Sequence, residues 1–156
     1  EEISEEGAAQ AVKIYRDYYE TKGQLEAHLY DGIKEILQQL SQEPSKKIFI
    51  TTSKNEPIAL EMCKHLGITE YFDGIYGSTP SAFHKADVLQ RAISENEAPK
   101  DQSVIVGDTK FDLIGGKTVG IKTIAVTWGF GKNETLLAEN PDFIADTTQE
   151  LRDISK

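Results

Sequence analysis

Between Asp31 and Gln42 the apolar residues Ile33, Ile36, Leu37 and Leu40 fall at the i, i+3, i+4, i+7 spacing that puts one stripe on a helix. Upstream, Val12, Tyr15 and Tyr19 recur at threes and fours behind a capping Ser4, with Gly23 as a stop, which predicts an amphipathic helix over 4–22. The pattern then changes period. "KKIFITTSK" is a short apolar run ending in hydroxyls, expected as a strand over 48–51, buried on both faces and opening into a polar loop. A helix is predicted over 56–66, with Pro57 in its permissive first turn and Gly67 ending it. "FDGIYGS" carries a short strand, and Val88, Leu89, Ala92 and Ile93 share one face of a helix over 85–96. "SVIVGD" is a strand running into two aspartates four residues apart. A short helix over 112–119, the strand "KTIAVTWG" and a βα-like tail containing "PDFIAD" complete the series.

Strands separated by helical stretches imply parallel strands joined by crossovers, hence an α/β fold with a Rossmann-like parallel sheet and helices on both faces. Residues 23–32 read as a linker between the first helix and the rest, and neither an internal repeat nor a low-complexity segment is present. At 156 residues the chain fits one domain, and its net charge of −9 disfavours a broad grip on nucleic acid or an anionic membrane. The single cysteine, Cys63, excludes an internal disulfide and suits a reducing compartment, for which the cytoplasm is the default. No apolar run reaches the ~18–20 residues that span a bilayer.

In open parallel sheets ligands collect outside the carboxyl ends of the strands. Three loops share that edge here: "TTSK", "GDTKFD" and "WGFG". Asp108 and Asp112 are hard oxygen donors suited to Mg²⁺, with Asp108 the better ligand and Asp112 able to hold a bound water or the loop itself. Equally, Asp112 caps a helix and Asp108 closes a turn. Thr51, Thr52 and Ser53 offer hydroxyls and N–H groups at a strand-to-helix junction that favours phosphate, or else they simply terminate a strand. Lys85 opens a helix, where the macrodipole disfavours a cation. His28, His65 and His84 have no metal-box spacing, Trp128 and Phe130 suit a pocket lip or packing, and Tyr15, Tyr18 and Tyr19 suit an apolar cover.

Taken in order, "ITTSK", the lysine of "HKADVL" and "IVGDTKFD" resemble the second, third and fourth motifs of the haloacid dehalogenase-like (HAD) hydrolases, and within them the phosphoglycolate phosphatase group. The resemblance implies a Rossmann-like core with a helical cap inserted after the first strand, and Mg²⁺-dependent hydrolysis of a small phosphate monoester. It implies that Thr52, with the Ser53 amide, binds phosphoryl oxygens, that Lys85 neutralises charge on the phosphoryl group and nucleophile, that Asp108 holds Mg²⁺, and that Asp112 supports that site. Residues 1–22 would be the last part of the cap, 23–32 the linker and 33–156 the core. Ala86 follows Lys85 where the family often has proline, and Ser53 stands where many relatives have asparagine.

The family's first motif, Asp-x-Asp at the end of the first strand, is absent from the chain, which also begins at Glu1 without a methionine. That motif supplies the nucleophile that becomes an aspartyl-phosphate and the general acid/base. The expectation is therefore a fragment of a phosphatase, inactive alone, with roughly 80 residues missing in front. The alternatives are a non-catalytic HAD-like module that binds a phosphorylated ligand or a protein partner, and a receiver-like signalling domain, against which the order of the motifs argues. The missing strand would lie between those over 48–52 and 103–107, which should then stand roughly 9–10 Å apart instead of pairing at about 4.8 Å. Their open edges would favour self-association.

Overall fold

A computed structural model describes residues 10, 13 and 23–155. Apart from residues 10 and 13, the helix expected over 4–22 and the cap segment expected over 1–22 lie outside the described residues. A 3-10 turn at Gly23–Glu26 leads through Leu29 and Tyr30, which pack on the core below, into α1 (Ile33–Ser41). The chain then alternates: β1 (Phe49–Asn55), α2 (Glu56–Leu66), β2 (Gly74–Ser78), α3 (Lys85–Glu95), β3 (Val104–Gly107), α4 (Lys110–Val119), β4 (Lys122–Val126), α5 (Asn133–Leu137), β5 (Phe143–Ala145) and α6 (Thr148–Ile154). Pro57 sits in the first turn of α2, and Gly67 ends that helix at φ 62°, a left-handed conformation that a side chain would strain.

All strand pairs are parallel, and they form two sheets: β1 with β2, and β3 with β4 and β5 in that order. β1 and β3 are not hydrogen-bonded to each other, so the collapsed arrangement in which they pair directly does not occur. The fold is an α/β Rossmann-like core whose sheet is interrupted where the family's first strand was expected. α3 joins the two parts. Its Leu89 and Ile93 bury against Ile105 of β3 and Val119 of α4, while its N-terminal Lys85 reaches the end of β1.

Helices cover both faces. Ile36 of α1 and Leu151 of α6 pack on Ile124 and Val126, and Leu113 of α4 and Leu136 of α5 close on Ala125 from the opposite side. Under α1 and α2, Leu37, Cys63 and Ile68 form a third cluster with Ile48 and Ile50. Burial pushes the Cys63 thiol above the usual range, in keeping with a small core residue.

The structure departs from the sequence reading at several points. β1 is half-buried instead of buried on both faces, because among the described residues only β2 pairs with it. It also runs to Asn55: β2 pairs with Thr51 and again with Asn55, so Thr52 and Ser53 lie in an irregular tail of the strand. In β3 only Ile105 and Gly107 are buried, while Val104 and Val106 remain 47% and 43% exposed. Those two face the α1–α6 side, and α1 covers Ile124 and Val126 but not the outer strand. Finally, α4 begins at Lys110, not Asp112, and the five-residue α5 was not foreseen.

Candidate active site at the strand ends

Lys85 links β1 to α4, the helix that follows β3. Its ammonium donates to the Thr51 carbonyl at 2.5 Å and to Asp112 Oδ1 at 2.7 Å. A cation at a helix start is explained by these two partners. Both come from outside α3, one from β1 and one from α4, the helix that follows β3. The side chains are largely enclosed, with Lys85 13% and Asp112 12% exposed.

Asp112 performs a second task with its other oxygen. Oδ2 accepts from the Thr109 N–H at 3.1 Å and the Thr109 hydroxyl at 2.7 Å, which fixes the first turn of α4. Both carboxylate oxygens are thus held by protein donors. Lys85 and Asp112, singled out separately in the sequence, form one unit.

Asp108 follows β3 directly. The Phe130 N–H donates to its Oδ2 at 2.6 Å, and Oδ1 accepts no hydrogen bond from the described residues. A Cβ on Gly129 would fall on the Asp108 side chain, and one on Gly131 on the Asp108 carbonyl oxygen. The glycines of "WGFG" therefore let that loop close on Asp108, a close approach beyond the pocket lip or packing expected of Trp128 and Phe130. Phe130 itself is 95% exposed. Trp128 turns inward to the Ile36 cluster and meets Tyr30 edge-on, ring centroids 5.3 Å apart.

Thr52 is half-buried and Ser53 exposed. The Lys54 N–H donates to Thr52 Oγ1 at 3.2 Å, so the hydroxyl helps to shape the β1 tail. Neither residue bonds to Lys85 or Asp108. His84 sits beside Lys85, its ring edge-on to Phe83, and its N–H donates to Asp87 Oδ2 at 3.1 Å.

The donor set suits Mg²⁺ in part. Asp108 presents a carboxylate oxygen at a strand end, and Mg²⁺ typically takes one or two carboxylates with waters and substrate phosphate. Asp112, engaged by Lys85 and Thr109, fits better as a support. Among the described residues no three His, Cys, Asp or Glu side chains gather to hold a metal by themselves. A formed cleft of about 160 Å³ lies elsewhere, beside the segment leading into β1, lined by Gln39, Glu43, Lys46 and Arg152. It contains none of the residues expected at the site. The charged groups singled out in the sequence converge instead around Lys85, Asp108 and Asp112.

Residues 1–126 match the family model of the haloacid dehalogenase-like hydrolases. The chain belongs to this family, and the receiver-like alternative gives way. It is 43% identical to a haloacid dehalogenase-like hydrolase of Streptococcus pneumoniae, with a TM-score of 0.93 over 98% of this chain and 72% of that one. It is 29% identical to the phosphoglycolate phosphatase of Vibrio vulnificus over 98% of this chain and 68% of the relative. The tyrosine-protein kinase PtkA of Mycobacterium tuberculosis is 32% identical over 95% of this chain and 52% of its own length. No helix among the described residues is long and apolar enough to cross a membrane.

Proposed function

We propose that this chain is the phosphate-binding and charge-neutralising part of a cytoplasmic phosphatase that hydrolyses a small, phosphoglycolate-like phosphate monoester. The observation that carries the reading is the enclosed Lys85 ammonium, held between Thr51 of β1 and Asp112 of α4, the helix that follows β3. A preorganised cation opposite the phosphoryl oxygens is worth most where water is limited. Thr52 Oγ1 and the Ser53 N–H, in the tail of β1, bind phosphoryl oxygens beside it. Asp108 would hold Mg²⁺, which when bound neutralises charge on those oxygens. Asp112 keeps Lys85 in place and ties it to α4.

The attacking carboxylate is not in these 156 residues, which contain no Asp-x-Asp. On this reading it belongs to a strand that fills the interruption between β1 and β3. Without it the two-step covalent route is closed. Purified 1–156 is expected to bind inorganic phosphate but not to turn over p-nitrophenyl phosphate with Mg²⁺. Turnover abolished by Asp108→Asn would overturn the assignment of a missing nucleophile. An in-frame Asp-x-Asp strand encoded upstream of Glu1 supports the phosphatase, whereas a native start codon at that point favours a non-catalytic module that binds a phosphorylated ligand.

A further inference from the structure

The segment proposed to bind phosphate is poorly held by its own sheet. β1 pairs with β2 at Thr51 and again at Asn55, and 52–54 between them bulges away from the ladder. Its geometry is set by the two anchor points. The second is elaborate. Glu56, the next residue, opens α2; its carboxylate accepts from the Gly77 N–H at 2.9 Å and is ion-paired to Arg91 of α3. A Cβ on Gly77 would fall on the backbone N and Cα of Glu56, so the end of β2 and the start of α2 touch main chain to main chain.

Arg91 gathers three segments around this contact. Besides Glu56 it reaches the Gly77 carbonyl and the Thr79 hydroxyl, each at 3.5 Å, and its guanidinium lies 5.1 Å from the Tyr76 ring centroid. Its Nε stands 3.9 Å from Glu95. The Thr79 hydroxyl also accepts from the Ala82 N–H at 3.2 Å, in the turn that feeds α3 and Lys85. Arg91 forms no bond with Thr52, Ser53, Lys85 or Asp108, yet it ties the segment after Thr52–Ser53 to the helix that carries Lys85. A planar fork can serve several acceptors at once in a way a lysine cannot.

We infer that Arg91, acting through Glu56 and Gly77, is a positioning residue that sets the Thr52–Ser53 segment against Lys85 so that both reach one phosphoryl group. The inference rests on the phosphate-binding reading above.

The test uses the full chain, with amide exchange and an inorganic phosphate titration followed in ¹H–¹⁵N spectra. Arg91→Ala is expected to raise exchange at 52–56 and 79–85 by about tenfold or more while β3–β5 stay protected, because the loss is local. Phosphate affinity should fall about tenfold. Arg91→Lys keeps the stem and charge without the fork, so it should unfold at a higher urea concentration than Arg91→Ala yet still bind phosphate more weakly than wild type. It also serves if the alanine variant does not fold. Uniform or unchanged exchange across the molecule overturns the inference, as does undiminished phosphate affinity in both variants. If wild type itself binds no phosphate, the phosphate-binding reading fails, and the exchange pattern alone decides whether Arg91 positions the segment.

Discussion

Replacing Lys85 by methionine keeps the length of the side chain and removes only the ammonium. Two acceptors then lose their donor: the Thr51 carbonyl of β1 and Asp112 Oδ1. Hydrogen bonds to charged groups contribute about 1.5–3 kcal/mol each, and orphaning one partner of a fully buried pair costs about 3–5 kcal/mol. Here the pair retains 13% and 12% exposure, and Asp112 keeps both bonds from Thr109, so the expected cost is about 2–3 kcal/mol. For a domain of this size that lowers Tm by roughly 5–10 °C. Urea unfolding should show a lower midpoint with an unchanged m-value. Lys64–Glu61 provides the control: it has the same 2.7 Å separation but is 62% and 61% exposed, so Lys64→Met should cost less than about 0.5 kcal/mol. A double-mutant cycle with Asp112→Asn should return a coupling of about 1 kcal/mol or more. Equal, small effects of Lys85→Met and Lys64→Met would refute the argument that enclosure makes the Lys85 pair strong.

Gly131→Ala puts a methyl on the Asp108 carbonyl oxygen and should destabilise by about 1–3 kcal/mol in urea unfolding, whereas Gly120→Ala, with nothing near its Cβ, should cost only the strain of its positive φ. Asp142 is held below the usual carboxylate range by the Thr123 N–H and hydroxyl, which both donate to its Oδ2. A depressed folded pKa contributes stability that is present above the unfolded value of about 3.9 and lost as pH falls through the folded one. Thr123→Val should therefore raise the Asp142 titration midpoint in carboxyl ¹³C spectra, and the stability gap between variant and wild type should narrow below about pH 4. Val106→Lys puts a charge on the open edge of the β3 sheet, and sedimentation velocity should show less self-association than wild type, with an unchanged urea midpoint.

The helices were legible because their apolar spacing and their stops are local: Ile36 and Leu37 bury as the period requires, and Gly67 ends α2 where expected. α5 escaped because five residues are too few to display a period. The exposure of Val104 and Val106 was invisible for a different reason. A run of valines states what a strand is suited to, and burial depends on whether a neighbour is there. In the site, the residue types at Lys85, Asp108 and Asp112 were readable one by one. That Lys85 and Asp112 form a pair, and that Glu56 and Arg91 do, depends on how α3 crosses the sheet, over separations at which no sequence period operates. The glycines of "WGFG" offered a cue, since two glycines flanking an aromatic residue permit a backbone to approach another group closely.

The interruption in the sheet also has a kinetic meaning. β1–α2–β2 and β3–α4–β4 each close a parallel pair through a single intervening helix, so each can form from contacts near in sequence. Among the described residues no ladder of hydrogen bonds links the two units, and the step that joins them is the docking of α3 between β1 and α4 together with that of α1, whose Ile33 packs on both. Side-chain packing, without strand pairing, governs that step. Truncating Leu89 or Ile93 should thus slow the final assembly of the molecule while leaving the early formation of each unit untouched.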